Sequence, residues 1–358
     1  RTAMRRHYWS CVTFAGEPLE YTGRGLDLFI GFLIGLPILS PLGFIYSTVD
    51  NAVSTGRDTH AIVQAVYFSA LFVLTLIARY RARRYRLSRT SWRGVRFAVD
   101  GSTMRYVVLS IAWWIVAVLT LGVATPWKRA AQRAYLTRTT TFGDRRFAFD
   151  PRPATLLLRW LFVLVLGIGP IVYVVAINAG AIAESISRVL TPPLYQWRMP
   201  RLRGLGFAMI APTFGFAAFV VYRVAELRMN TAATTLDGVR FESVMRPFGV
   251  LARFLAIIPA AIVLAIAVAY GAFGLLLPSL NKDLVIVWIV LLALTALGLW
   301  TSLMYLMING WLRHGIVASY FNSVAVTGSA TLDAIGQSPH AAPTRGEGLA
   351  DSFEFGAD

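Results

Sequence analysis

Seven long apolar segments constrain what this chain of 358 residues can fold into. A run of about 20 apolar residues matches a bilayer core about 30 Å thick. Several of the segments contain proline or glycine, which membrane helices tolerate because neighbouring helices satisfy the freed backbone groups. The sequence therefore predicts a polytopic membrane protein. The segments are Leu26–Ser47, His60–Ala78, Met104–Val123, Ala154–Asn178, Gly204–Tyr222, Phe248–Leu277 and Leu284–Ile308.

The charge of the chain lies mainly between these segments. The formal net charge is +16, and Lys128 and Lys282 are the only lysines, so nearly all of it is arginine. In a soluble protein this excess would indicate nucleic-acid binding. Here the cations concentrate in 79–105, 128–152 and 223–253, as the positive-inside rule requires for cytoplasmic connections. We therefore expect no nucleic-acid partner, and we expect the cation-poor connections 48–59 and 278–283 on the opposite side.

One short motif recurs in the basic connections: a turn residue, a glycine and then Arg-Phe. It occurs as RTSWRGVRFAVDG (89–101), TRTTTFGDRRFAFDP (137–151) and AATTLDGVRFESV (232–244), with weaker copies around Gly16 and Gly328. After the clear copies of the turn, apolar and polar residues alternate, which is the period of a half-buried strand. The motif therefore predicts a turn followed by one short strand in each copy. Such strands could pair with one another in a cytoplasmic layer.

The motif assigns a role to each of its recurring residues. The glycines supply turns, the phenylalanines share the buried face of the strand layer, and the arginines point the other way. The turn glycines are Gly94, Gly143 and Gly238, the phenylalanines are Phe97, Phe147 and Phe241, and the arginines are Arg96, Arg146 and Arg240.

The spacing of two copies creates a topological problem. Gly94 and Gly143 lie 49 residues apart (143 − 94) and enclose only the apolar segment 104–123. A single crossing would place these two copies on opposite sides of the membrane, against the charge pattern. We therefore predict that this segment is re-entrant or interfacial, with Trp113-Trp114 and Trp127 as anchors at the membrane interface.

The predicted fold class is an all-α polytopic membrane protein. It has about six transmembrane helices, one re-entrant or interfacial apolar segment, and short cytoplasmic β-strands between helix hairpins. An even number of crossings leaves both termini in the cytoplasm. The predicted divisions are cytoplasmic motif copies at 1–25, 224–247 and 309–332, transmembrane hairpins at 26–78, 154–223 and 248–308, a basic region at 79–153 that contains 104–123, and a disordered tail at 333–358.

The stretch LTLGVATPWKRAAQRAYLTRTTTFGDRRFAF (119–149) resembles the YjgN-like family of bacterial inner-membrane proteins. The resemblance covers most of Arg5–Leu332, and the C-terminal copy departs from it because that copy lacks Arg-Phe. It implies a location in the bacterial inner membrane and no established activity. The matching residues are Thr120-Leu121-Gly122 followed by Pro126-Trp127, and Gly143 followed by Arg146-Phe147. Gly94–Phe97 and Gly238–Phe241 match the later copies of the motif in that family.

The sequence carries no catalytic motif. The four histidines are far apart, and Cys11 is the only cysteine, so no zinc ligand pattern and no intrachain disulfide is expected. There is no Gly-x-Ser-x-Gly nucleophile elbow and no phosphate-binding loop. We therefore expect a protein that is not an enzyme and has no catalytic residue, metal or cofactor.

Two non-enzymatic functions remain from the sequence. The first is transport or permeation of a small solute or lipid, with a site framed by helices broken at proline. The second is a scaffold or sensor whose arginine-rich strand layer binds anionic lipid, a nucleotide or a protein partner. The expected partners are membrane lipids with anionic headgroups. The candidate anion-binding residues are Arg96, Arg146, Arg240, Arg81, Arg83 and Arg84.

Overall fold

The computed structural model describes residues 2–26, 57–181, 183–184, 203–276 and 285–328, with short pieces at 29–30, 33, 40–41, 43–44, 46–49, 332 and 335–336. The chain divides into two compact units. The first comprises Arg1–Leu157, Met229–Phe241 and Val326–Asp358, and the second comprises Leu158–Arg228 and Glu242–Ala325.

Helices dominate both units. They are α1 Thr2–Cys11, α2 Arg57–Ser88, α3 Thr103–Leu119, α4 Thr125–Arg138, α5 Leu157–Gly167, α6 Gly169–Ile177, α7 Leu205–Ala232, α8 Pro247–Leu276, α9 Val285–Leu306 and α10 His314–Phe321. A short 3-10 helix, Pro153–Leu156, precedes α5, and a π-helix, Met307–Arg313, joins α9 to α10. The strands are β1 Thr13–Phe14, β2 Glu17–Pro18, β3 Glu20–Tyr21, β4 Thr90–Trp92, β5 Val95–Val99, β6 Thr140–Phe142, β7 Arg145–Arg146, β8 Ala148–Phe149, β9 Thr234–Leu236, β10 Val239–Ser243 and β11 Val324–Thr327.

Three helical segments of the described chain are long and apolar enough to cross a membrane: Ala61–Ser88, Pro153–Ile177 and Pro247–Ala267. The mostly helical fold predicted from the sequence is confirmed. The first predicted segment, Leu26–Ser47, falls largely outside the described residues, so the number of crossings stays a prediction. Helix α3 has 17 residues. At 1.5 Å per residue it is about 25 Å long, shorter than a bilayer core of about 30 Å.

Four copies of the recurring motif fold as β-hairpins, so the prediction of one strand per copy is wrong. Strands β4 and β5 pair across the turn Arg93-Gly94, whose φ angles are 50° and 73°. Asp237-Gly238 repeats this turn with φ angles of 47° and 86°. Positive φ at both central residues gives a type I′ turn, whose twist matches that of the flanking strands. The alternating pattern after the turn was readable from the sequence, whereas the Thr-rich strand before it resembled a loop.

The third copy departs from the others by one position. Its turn is Gly143-Asp144, and glycine occupies the first central position with a φ of 58°. A side chain at Gly143 would also collide with the backbone carbonyl of Gly336. In the sequence motif, Gly143 aligns with Gly94 and Gly238, which are the second central residues of their turns, whereas Gly143 is the first. The Arg-Phe pairs still occupy equivalent strand positions.

The helix before each clear hairpin ends in the same way. A threonine at the start of the first strand donates its hydroxyl hydrogen bond to the carbonyl four residues earlier. This satisfies one of the carbonyl groups that the last helical turn leaves without an intrahelical partner. The bonds are Thr90 Oγ1 to Arg86 O at 2.9 Å, Thr140 Oγ1 to Leu136 O at 2.7 Å, and Thr234 Oγ1 to Asn230 O at 2.8 Å.

The hairpins assemble into sheets, which we call the strand layer. Five strands pair in the order β3-β4-β5-β6-β7, four pair in the order β11-β10-β9-β8, and β1 pairs with β2. A buried cluster in the first unit contains Trp92, Phe142, Leu236, Val239, Leu332 and Ile335. The rings of Phe97, Phe147 and Phe241 all pack against this cluster.

The C-terminal tail enters this cluster further than the sequence predicts. Ile335 lies in the stretch 333–358 for which composition predicts disorder, yet it is 8% exposed. Its apolar side chain, with that of Leu332, packs on the aromatic residues of the strand layer. Ile335 is therefore buried by its own apolar contact, and disorder of the tail stays a prediction. The residues from 337 onward lie outside the described part of the chain.

The second unit is a helical assembly. Helices α5 and α7 approach closely at two glycines, because a side chain at Gly215 would lie 2.6 Å from the Cα atom of Gly167. Glu226 is buried on α7 and accepts a hydrogen bond of 2.7 Å from Arg223.

Candidate functional site

Three exposed arginines of the strand layer pair with acids of neighbouring motif copies. Each pair joins residues from two different copies, so these contacts help to hold the hairpins in register. Exposed ion pairs of this kind contribute roughly 0–1 kcal/mol each. The pairs are Arg93 Nε to Glu17 Oε1 at 3.1 Å, Arg145 Nη1 to Asp237 Oδ2 at 3.6 Å, and Arg146 with Asp100.

The three recurring arginines do not converge on one pocket of the strand layer. Arg96 and Arg146 belong to the five-stranded sheet, whereas Arg240 belongs to the four-stranded sheet. Arg96 and Arg240 are exposed, and each lies opposite a hydroxyl residue, Ser91 and Thr235 respectively. The strand layer thus distributes these cations over two sheets, and Arg146 pairs with Asp100.

The other candidate arginines lie near the end of α2. Arg81 is exposed, and Arg83 and Arg84 are half-buried. With 3.6 residues per turn, Arg81 and Arg84 lie about 60° apart around the helix and Arg83 lies on the far side. They form a basic collar rather than a single binding face.

The motif Thr120-Leu121-Gly122 forms the turn that connects α3 to α4. The Thr120 hydroxyl donates a hydrogen bond to the Val116 carbonyl at 2.8 Å and accepts one from the Ala124 amide at 3.1 Å. The Gly122 amide donates to the Ala117 carbonyl at 2.7 Å, with φ 86°. Pro126 is buried in the first turn of α4, where its missing N–H costs nothing. The turn ends one helix and starts the next within a few residues.

Helices α3 and α4 therefore form an antiparallel pair, which we call the helical hairpin. The chain leaves the strand layer after β5 and returns at β6, and these two strands pair with each other. The Asp100 amide donates to the Thr139 carbonyl at 2.8 Å, just where the hairpin closes. The structure thus has the second and third motif copies in one sheet, and α3 goes out from that sheet as α4 comes back.

Three tyrosines fix the base of the helical hairpin to α2. The ring centroids of Tyr80 and Tyr106 lie 5.5 Å apart, and those of Tyr106 and Tyr135 lie 6.0 Å apart. The Tyr135 hydroxyl donates a hydrogen bond of 2.7 Å to the Ser102 carbonyl. This aromatic cluster holds α2, α3 and α4 together beside the strand layer.

Lys128 is a buried cation inside the helical hairpin. It is 8% exposed, and its Nζ atom lies 3.4 Å from the centroid of the Trp114 ring on α3. Among the described residues, no carboxylate lies within ion-pair distance of it. Burial lowers the pKa of the Lys128 ammonium group, and the guanidinium groups of Arg129 and Arg79 lower it further. Its place in the first turn of α4 adds an unfavourable helix dipole.

An apolar groove adjoins the same tryptophan. It has a volume of about 330 Å³ and its walls come from α2 and α3. Trp114 therefore belongs both to the groove and to the contact with Lys128. The lining residues are Phe72, Ile111, Trp114, Ile115, Val118 and Leu119.

The sequence does not predict this arrangement. By its place in the sequence, Lys128 indicates only a topological charge and Trp114 only an interfacial anchor. A usable signal was present, because Trp114 lies seven residues before Leu121 (121 − 114) and Lys128 lies seven residues after it (128 − 121). Residues equidistant from a tight turn face each other in an antiparallel pair.

Comparisons with known proteins identify the family of this chain. Residues 1–352 match DUF898, described as a bacterial protein of unknown function, and the chain belongs to this family. No curated protein and no solved structure gave a match. Among the described residues, no group of three His, Cys, Asp or Glu side chains is arranged to hold a metal ion.

Proposed function

We propose that this member of the DUF898 family is a multi-pass protein of the bacterial inner membrane that binds anionic phospholipid on the cytoplasmic side, without enzymatic activity. The helical hairpin carries this proposal, because it returns the chain to the sheet that it left. The basic end of α2 and the basic helix α4 therefore lie together beside the strand layer. Cations gathered next to apolar helices attract anionic headgroups, at about 1 kcal/mol for each lysine or arginine near the surface.

The proposed topology has six crossings and both termini in the cytoplasm. Apart from α3, the apolar segments enclosed by successive motif copies come in pairs, and each pair returns the chain to its starting side. Reporter fusions at Thr55 and after Gly328 should give opposite sidedness. The same sidedness from both fusions would contradict this topology.

Lipid binding is tested by removing the basic collar of α2. Replacing Arg81, Arg83 and Arg84 with Gln should lower the amount of anionic phospholipid that purifies with the protein. The matched control replaces three strand-layer arginines, Arg93, Arg145 and Arg146, with Gln, since it changes the net charge equally at cations that pair with acids. Equal lipid loss from both variants would mean that net charge alone attracts the lipid. No loss from the collar variant would mean that these cations serve topology only.

A second candidate function is transport, and irregular helices in the second unit favour it. Ile168 separates α5 from α6, Pro259 lies inside α8, and α9 continues into the π-helix Met307–Arg313. Interrupted helices frame substrate sites in many transporters, and π-helical turns are frequent at functional sites. Flux of small solutes into liposomes containing the purified protein would support transport, whereas tight liposomes with bound anionic lipid would support the lipid-binding function alone.

A further inference from the structure

The environment of Lys128 favours the approach of an anion. The side chain is more than nine-tenths buried and contacts an aromatic ring, a favourable but uncharged partner. The charges that act on it come from Arg129 and Arg79, which repel it. In the part of the chain that the structure describes, no carboxylate lies within ion-pair distance of Lys128, and burying a charge in this way is costly. An anion that reached this position would therefore offset the burial of the Lys128 charge.

One of these cations, Arg79, marks the level of the membrane surface on α2. Arg79 is the first cation after the apolar run 61–78 of α2. It therefore marks the level at which that helix passes from acyl chains to headgroups. The Trp114 ring that Lys128 contacts lies 5.7 Å from the ring of Phe72, about two turns before Arg79 on α2. Lys128 therefore lies on the apolar side of that level, from which its long side chain can reach toward the headgroups.

The apolar groove lies next to these cations and extends into the apolar part of the hairpin. Phe72 on α2 and Ile115 on α3 help to line it, and Trp114 separates it from Lys128. The groove has a volume of about 330 Å³ and is open along one side, as a groove that holds an acyl chain at the surface of a membrane protein would be. An apolar channel beside a cluster of cations complements an amphipathic anion.

We propose that α2, α3 and α4 form a site for a single anionic phospholipid, with one acyl chain in the apolar groove and its phosphate bound by Lys128, Arg79 and Arg129. The inference rests on the proposed function, for which it names the ligand and the place. The flexible four-carbon stem of Lys128 lets the ammonium group turn from the Trp114 ring toward the phosphate. The tryptophan then lies at the junction of headgroup and chain, where its amphipathic ring is favoured.

The chain offers a direct way to observe this lysine. Lys128 and Lys282 are its only lysines, so the Lys282→Arg variant leaves Lys128 as the only lysine side chain. Reductive methylation with ¹³C-formaldehyde then gives one lysine side-chain signal in NMR spectra, distinct from that of the terminal amine. We would titrate that signal with pH in detergent alone, with added phosphatidylglycerol, and with added phosphatidylcholine.

The expected result is that phosphatidylglycerol raises the pKa of the labelled Lys128, because a bound phosphate stabilises the charged form. Phosphatidylcholine, which carries no net charge, should have a smaller effect. Identical titration curves with the two lipids would overturn the proposal. An equal rise with inorganic phosphate in detergent alone would also overturn it, since the site would then bind a free ion rather than a lipid.

Two pairs of variants test the headgroup and the chain separately. Lys128→Met should weaken phosphatidylglycerol binding, measured by native mass spectrometry, about tenfold or more, whereas Lys128→Arg should retain it. Val118→Trp should weaken binding by filling the groove. Leu121→Trp is its control, since Leu121 is 87% exposed and outside the groove lining. Equal affinity for wild type, Lys128→Met and Val118→Trp would overturn the assignment of the site.

The outcomes also separate this site from the general proposal. If the wild-type protein retains no anionic lipid, the proposed function itself fails. If the wild type retains anionic lipid and the collar variant loses it, while Lys128→Met binds as the wild type does, only the specific site fails. The single-lysine titration needs no substitution at Lys128, so a variant that does not fold leaves the test intact.

Discussion

The strand layer and the helical hairpin are both rich in cations, but the cations have different neighbours in the two regions. In the strand layer, Arg93, Arg145 and Arg146 meet acids of neighbouring copies. In the helical hairpin, Lys128 meets a tryptophan ring and lies near two more cations. The same excess of positive charge therefore has two uses. In the first region it pairs with acids of neighbouring hairpins, and in the second we propose that it binds an external anion.

The largest expected effect comes from the apolar side of the strand layer. Phe142 is 3% exposed, and its ring centroid lies 4.7 Å from that of Phe97. Phe142→Ala should lower the free energy of unfolding by about 3–5 kcal/mol, because it loses buried area and leaves a cavity. Phe147→Ala should cost less, since Phe147 is only partly buried. Thermal and denaturant unfolding in detergent measures the stability of both variants. If neither variant is less stable than the wild type, the hairpins are independent surface loops.

The next effect isolates the backbone of a hairpin turn. Gly238 has a φ of 86°, and a side chain there would meet no atom within 4 Å. Gly238→Ala should therefore cost roughly 1–2 kcal/mol through left-handed backbone strain alone. Gly249→Ala is a matched control, because that glycine also faces open space but has an ordinary helical φ. Equal unfolding midpoints for the two variants would mean that the type I′ turn does not contribute to the stability of the hairpin.

A smaller expected effect is a change in the stability of the protein with pH, which arises from Lys128 in the helical hairpin. The pKa of Lys128 is lowered from 10.5 in the folded protein, so the folded state binds this proton less well than the unfolded state. Between the lowered value and 10.5, stability should rise with pH, by at most about 1.4 kcal/mol per pH unit. Lys128→Met lacks this dependence. In lipid-free detergent, the wild type should therefore gain stability relative to the variant as the pH rises toward 10.5.

A difference between wild type and Lys128→Met that stays constant with pH would contradict the depressed pKa. A wild type that loses relative stability as the pH rises would point instead to an acid partner. Adding phosphatidylglycerol should flatten the dependence, because a bound phosphate restores the charged form of the lysine.

The smallest expected effect is that of an ion pair in the strand layer. Arg146 and Asp100 are both well exposed to solvent, so Arg146→Gln should change the free energy of unfolding by less than about 1 kcal/mol. A double-mutant cycle with Asp100→Asn measures the pair alone. A coupling above about 2 kcal/mol would mean that the strand layer depends on these pairs for stability as well as for register.

Several features were determined by the sequence itself because they depend on local periods. Hydropathy identified helices α2 and α8 as apolar spans, and the alternation after Gly94 identified β5. The same alternation assigned Phe97 and Phe147 to one face, since the side-chain period of a strand fixes faces without any tertiary information. The spacing of Gly94 and Gly143, together with the charge pattern, also predicted that the chain turns back within 104–123, and β5 indeed pairs with β6.

The tertiary structure decided which distant residues meet. The Arg-acid pairs depend on the order of hairpins in a sheet, which no single copy encodes. The contact of Trp114 with Lys128 depends on the angle at which Thr120–Ala124 reverses the chain, so a residue that resembles a topological charge becomes a buried cation beside an apolar groove. Burial and charge repulsion arise from packing between elements, whereas local sequence periods report only on each element alone.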